Sequence, residues 1–170
     1  MCAHHDQSHN RWTTAPLRLS FRAFFETDVR DIFRALSNPL HMCRLFPWMH
    51  RIDLETEPAV DQSDPERPLI RRCHFGNGMV LEEEILDWIP PEFYAYRGVE
   101  ESHPFGMVGH VGTIACLSVD NGTHLSWQQY FDHRNPTAMG SQIGSNMEMA
   151  LERLSEAFGG KIIKKEIVNG

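Results

Sequence analysis

Residues 135–160 read NPTAMGSQIGSNMEMALERLSEAFGG. Asn135-Pro136 opens a helix, with the proline at a first-turn position where a missing N–H is harmless. Met139, Ile143, Met147, Ala150, Leu151, Leu154 and Phe158 then recur at three- and four-residue steps. They form one apolar stripe about six turns long at 3.6 residues per turn. Gly159-Gly160 ends it. Gly140 and Gly144 lie four apart near its start, and each weakens a helix by roughly 1 kcal/mol against alanine. Close packing against a sheet accounts for them; room for a ligand is the alternative. A stripe of this length has to be buried against another layer.

Upstream of the helix the chain reads as strand after strand. Thr123–Asp132 is reached from the long strand Phe105–Val119 through an Asn121-Gly122 turn, and Phe93–Val99 carries Tyr94 and Tyr96. Pro90-Pro91 breaks the connection before it. Leu69–Phe75 and Met79–Trp88 are joined by Gly76-Asn77-Gly78, residues that accept positive φ and so favour a hairpin. Asp61–Pro68 (DQSDPERP) is a polar loop, and Trp48–Thr56 is the strand before it. Near the beginning, Leu17–Phe25 (LRLSFRAFF) alternates apolar and polar residues as a half-buried strand does. Thr27 is the candidate N-cap of a helix whose face carries Val29, Ile32, Phe33 and Leu36. Ser37-Asn38-Pro39 stops that helix and starts a short second one, which ends near Pro47. The expected fold is therefore α+β, in the order β-α-α-β6-α. A curved antiparallel sheet of about seven strands wraps the C-terminal helix around an internal cavity. Residues 1–16 read as a flexible arm, 17–160 as a single domain and 161–170 as a C-terminal tail.

Composition narrows the partners. The chain has 170 residues, enough for one domain with a real core. A net charge of −7 and the lack of a basic stripe argue against nucleic acid and anionic lipid surfaces. No apolar run approaches the ~20 residues that span a bilayer, and Met1–Thr14 has no signal-type apolar stretch, so the chain reads as cytoplasmic. Cys2, Cys43, Cys73 and Cys116 are scattered without a CxxC pair and read as reduced apolar side chains. His4, His5 and His9 have spacing that could chelate a metal on a helix, but no helix is signalled there, so no metal site is expected. Walker, GxSxG, GxGxxG and HExxH motifs are absent, and no cofactor is implied.

Three local patterns carry a family resemblance. Glu83-Glu84-Ile85-Leu86-Asp87-Trp88-Ile89-Pro90-Pro91 is an acidic strand ending in an aromatic residue and a proline turn. Phe93-Tyr94-Ala95-Tyr96-Arg97 is an aromatic strand, and Asn121-Gly122-Thr123-His124-Leu125-Ser126-Trp127 a Gly-Thr-x-x-x-Trp hairpin. With the element order over about residues 17 to 158, they resemble the START/Bet v 1-like (SRPBCC) superfamily and its polyketide cyclase/dehydrase-like branch. The resemblance implies a helix-grip fold with a deep cavity between sheet and helix. It also implies a lipid, sterol, hormone or polyketide ligand, and in some members cyclisation, dehydration or hydrolysis. It carries no family-wide catalytic motif.

Strand alternation supplies the candidate lining. Leu125, Trp127, Gln129 and Phe131 form the more apolar, inward set of the last strand. For the long strand, the sets containing His110 and Val111 are both apolar enough to face in. His110 is a candidate acid or base, against a structural histidine satisfied by a neighbouring carboxylate. Glu84, on a shared face with Glu82, Leu86 and Trp88, is its candidate partner or, if desolvated, a general base with a raised pKa, against a solvated outer face. Arg72 could hold an anionic ligand group, against a surface ion pair with the adjacent strand. Tyr94 and Tyr96 are candidate hydrogen-bond donors or packing aromatics. Trp48, Met49, Trp127, Gln129, Ile143 and Met147 complete the expected wall. The leading function is binding of a hydrophobic or aromatic small molecule, lipid- or polyketide-like. The alternatives are a metal-free cyclase/dehydrase-type enzyme and an interaction domain with a filled cavity. Convergence of two or more of the proton-transfer groups on one position would favour the enzyme. The exposed sheet edges permit a homodimer without establishing one.

Overall fold

The computed structural model describes residues 10–57 and 67–168. Cys2, the three N-terminal histidines and most of the Asp61–Pro68 loop fall outside them. The order is β1 (Leu17–Phe25), α1 (Val29–Ser37), α2 (Pro39–Leu45), β2 (Met49–Thr56), β3 (Pro68–Phe75), β4 (Val80–Ile89) and β5 (Phe93–Gly98). A short 3-10 turn at Glu100–Ser102 leads to β6 (Val108–Val119), β7 (Gly122–Asp132), α3 (Pro136–Phe158) and β8 (Gly160–Ile167). The strands form one antiparallel sheet in the order β2-β3-β4-β5-β6-β7-β1-β8. This is the helix-grip architecture.

Helix ends follow local chemistry. Asp28, not Thr27, caps α1, accepting from the Arg30 backbone N–H at 2.8 Å. The Thr27 hydroxyl instead donates to Asp31 at 2.9 Å. Asn38 ends α1 and caps α2, where Pro39 occupies the first turn. Asn135 caps α3 through Ala138 N–H at 3.2 Å. From α3, Met147, Ala150, Leu151 and Leu154 are fully buried, as are Leu19, Phe21, Ala23 and Phe25 of β1 and Ile32 and Leu36 of α1. Truncating a residue such as Leu151 to alanine in a core of this kind costs about 2–5 kcal/mol.

The eighth strand departs from the sequence reading, which ends the domain at 160 and leaves a tail. Gly159 and Gly160 do more than stop α3. Their φ values of 71° and 118° turn the chain back at once onto β1, and a Cβ at Gly160 would strike the Phe24 backbone. Strand β8 (GKIIKKEI) was illegible because it lacks clean alternation. A register irregularity between Arg22 and Ala23 puts both Ile162 and Ile167 against the core. Gly140 and Gly144 sit beneath this strand. A Cβ at Gly144 would lie 3.2 Å from Ile167 and 3.4 Å from Leu19, so close packing accounts for that glycine.

Residues 10–16 lie on the outer face of the sheet, away from α3. The Thr13 hydroxyl donates to the Gly109 carbonyl at 2.8 Å, Trp12 stacks on Phe93 at 5.8 Å, and Arg97 donates to the Trp12 carbonyl. This segment does not cover the space between sheet and helix.

Candidate ligand cavity

The pleat of five strands aims a set of side chains at α3. Arg71 and Cys73 come from β3, with Leu81, Glu83 and Ile85 opposite them on β4. Tyr94 and Tyr96 come from β5, His110 and Ile114 from β6, and Trp127 and Gln129 from β7. Ile114 pairs with both Tyr94 and Trp127, which settles the open phase of β6 in favour of the His110 set. These residues do not meet α3 everywhere. A cavity of about 560 Å³ remains between them, Ile143 and Met147. Phe46, Trp48, Met49, the Phe75–Met79 turn and Phe105 form its outer wall. Met42, Met49, Met79, Met107, Met139 and Met147, six of the chain's eight methionines, line it.

Of the three residues expected to carry chemistry, only His110 lies here. Glu84 is on the outer face, about half exposed, 3.7 Å from Arg97. Arg72 is also outside, bonded to Glu82 at 2.7 Å and Glu55 at 3.3 Å. A strict period of two puts Glu84 on the same side as Trp88. A bulge between Ile85 and Asp87 inverts that phase, so Trp88 packs inward on Phe33 and Tyr94 while Glu84 turns out. Trp48, Met49, Tyr94, Tyr96, Trp127, Gln129, Ile143 and Met147 all line the cavity.

The inward pair is Arg71 and Glu83, which the sequence reading passed over. Both are about 5% exposed and meet at 2.6 Å. The guanidinium sits 4.8 Å from the Tyr96 ring centroid, and its Nη1 reaches Met42 Sδ. Burial alone would lower the Arg71 pKa, but Glu83 and the surrounding phenols and thiol more than reverse this and hold it high. The signal was present: Arg71 shares a face with Cys73, and Glu83 with Leu81 and Ile85. His103 was also missed, since a loop residue carries no alternation to read.

Beyond the ion pair runs a line of polar contacts. His103 Nε2 is 3.0 Å from His110 Nδ1, and His110 Nε2 is 2.9 Å from Gln129 Oε1. Gln129 Nε2 donates to the Tyr96 hydroxyl at 2.6 Å, while the Tyr94 hydroxyl is taken by the Leu36 carbonyl. Burial lowers the pKa of both histidines, His103 to about 3 with help from His110 and His133. Burial, with Glu83 nearby, pushes the Tyr96 phenol up to about 12. At neutral pH these three groups are uncharged. Trp127 Nε1 is buried beside the Tyr96 oxygen and makes no well-formed hydrogen bond among the described residues. No group of three His, Cys, Asp or Glu side chains among the described residues is arranged to hold a metal.

The cavity beside the C-terminal helix has an apolar wall and a few polar groups on its floor. The family model described as polyketide cyclase / dehydrase and lipid transport matches residues 18–159. The chain belongs to this family. Family membership and the cavity together point to a small-molecule ligand or substrate. No curated protein matches the chain. Among solved structures, the protein MLL2253 from Mesorhizobium loti is similar at 19% identity and TM-score 0.62, covering 82% of this chain and 95% of that one. The di-domain aromatase/cyclase StfQ from the steffimycin biosynthetic pathway is similar at 14% identity and TM-score 0.63, covering 84% of this chain and 51% of that one. The Aha1 protein of Colwellia psychrerythraea, solved as a dimer, is similar at 14% identity and TM-score 0.60, covering 82% and 94%. At these identities the likeness is one of fold. No helix among the described residues is long and apolar enough to cross a membrane.

Proposed function

We propose that the protein binds an apolar or aromatic small molecule, lipid- or polyketide-like, with its body against the methionine and aromatic wall and a polar end on the floor. The carrying observation is the cavity itself: about 560 Å³ of space, within the range that holds a drug-sized ligand, above a few convergent polar groups. The test is native mass spectrometry of protein purified from its own host, then extraction under denaturing conditions and thermal shift with the recovered molecule. A stoichiometric apolar compound that raises the melting temperature supports the reading. Protein that arrives empty, and that no apolar extract of the host stabilises, overturns it.

A second reading is catalysis of the cyclase/dehydrase type. The favouring observation is that Glu83, Tyr96 and His110 share one cavity floor. Against it, both His110 nitrogens are already engaged and Glu83 is bound to Arg71. Proton donation to a bound carbonyl then falls to Tyr96. The check is cyclised product from a synthetic poly-β-ketone thioester, by mass spectrometry, for the native protein and Tyr96→Phe. Product formed no faster than without protein ends this reading.

A further inference from the structure

We infer that the cavity floor is built to hold a hydrogen-bond acceptor oxygen of a neutral ligand, a ketone or other carbonyl, between the Tyr96 hydroxyl and the Trp127 indole N–H. This rests on the ligand-binding reading and specifies it.

A backbone amide sets the placing of the hydrogens. Phe105 N–H donates to His103 Nδ1 at 3.3 Å. A backbone N–H can only donate, so that nitrogen carries no hydrogen. A neutral imidazole then has its hydrogen on Nε2, which faces His110 Nδ1. His110 must in turn carry its hydrogen on Nε2 and donate to Gln129 Oε1. That fixes the Gln129 amide with its NH₂ toward the Tyr96 oxygen. Each link sets the next, and the chain ends with Tyr96 as acceptor. The hydroxyl hydrogen of Tyr96 has no acceptor among the described residues, and the residue lines the cavity. The depressed pKa values of the two histidines keep both rings neutral, as the chain requires.

Two further observations are independent of the chain. Trp127 is 5% exposed, lines the same cavity and turns its N–H toward the Tyr96 oxygen, close enough to favour the phenolate, yet it makes no well-formed hydrogen bond among the described residues. A buried donor without an acceptor is costly unless a ligand supplies one. The backbone also makes room for the arrangement. A Cβ at Gly98 would sit 2.7 Å from His110 Nδ1 and 2.8 Å from His103 Nε2, and one at Gly112 would overlap the Tyr96 phenol. The occupant is neutral because Arg71 is already balanced by Glu83 at 2.6 Å, leaving the floor no net positive charge for an anion.

The test compares fluorenone with fluorene, two rings-and-bridge probes of one shape that differ by a carbonyl oxygen. Affinities are measured by calorimetry, and the Trp127 indole resonance is followed by NMR. Two added hydrogen bonds should make fluorenone bind roughly tenfold tighter. That ratio should shrink in Tyr96→Phe and in Trp127→Phe, and also in Gly98→Ala, which spares both donors but breaks the histidine contact that orients Tyr96. In the unaltered protein, fluorenone but not fluorene should move the indole N–H signal, and nitrogen shifts should show both histidines as Nε2–H tautomers. The NMR readouts stand even if a variant fails to fold. Equal affinity for the two probes, an unmoved indole signal or Nδ1–H tautomers overturn the inference while fluorene binding leaves the cavity reading intact. Binding of neither probe sinks both.

Discussion

Arg71 and Arg72 are adjacent in sequence and opposite in environment. Arg71 is buried against Glu83, whereas Arg72 is a third exposed between Glu55 and Glu82. Removing one partner of a buried pair strands the other charge, so Arg71→Met should lower unfolding free energy by about 3–5 kcal/mol. Arg72→Met should leave the urea midpoint nearly unchanged, because its ion pairs are screened by solvent. Urea unfolding checks both, and an Arg71→Met/Glu83→Leu double variant should recover much of the first loss. The histidines give a pH dependence with a definite sign. Their folded pKa values lie below the ordinary 6.5, so the unfolded chain takes up protons first as pH falls. Their stabilising contribution is complete above about pH 6.5 and is lost as pH falls toward the folded value, about 3 for His103. Melting temperature should therefore drop on acidification through that window, and His103→Asn should flatten the slope. At this scale the sequence named the right neighbourhood more often than the right neighbour. Trp127 and Gln129 were readable from alternation, whereas the phase of β6, and with it the placing of His110, stayed open until Ile114 was seen to pair with Tyr94 and Trp127. Glu84 stood in for Glu83 because one bulge, invisible in a single sequence, shifts the phase of β4.

Among the elements, α3 was the most legible because its stripe repeats over six turns, and the β3–β4 hairpin because Gly76-Asn77-Gly78 permits little else. The observed turn has Gly78 at φ 84° with Phe75 N–H bonded to the Met79 carbonyl. Strand β8 was hidden because half of it is solvent-facing lysine and glutamate and Ile163 is exposed as well. Its removal is nevertheless predicted to matter. Ending the chain at Gly160 would bare the β1 edge and strip Ile162 and Ile167 from the core. Such a truncation should show an earlier urea midpoint and increased light scattering. The glycines of α3 separate cleanly. The nearest atom to a Cβ at Gly140 is 3.7 Å away, ordinary contact, so Gly140→Ala should stabilise by roughly 0.5–1 kcal/mol. At Gly144 a side chain as large as leucine would meet Ile167 and Leu19 and should destabilise, measurably in the same unfolding assay.

Over the whole molecule, sheet and helix are fixed by patterning, but the volume left between them is not. Whether strand side chains fill or leave the space under α3 depends on curvature and on bulges, which no periodicity encodes. A ligand filling that space couples directly to stability. At a hundred times its Kd it should add about 2.7 kcal/mol and raise the melting temperature by roughly 5–10 °C for a domain of this size. The concentration of six methionines around one cavity has a consequence of its own. Thioether sulfur is soft and takes up oxygen, and each sulfoxide formed would replace a yielding apolar contact with a rigid dipole. Oxidant exposure would thus wet the pocket wall while the capped helices and paired strands stand, and methionine sulfoxide reductases would restore it, so the protein's hold on its ligand would follow the redox state of its surroundings.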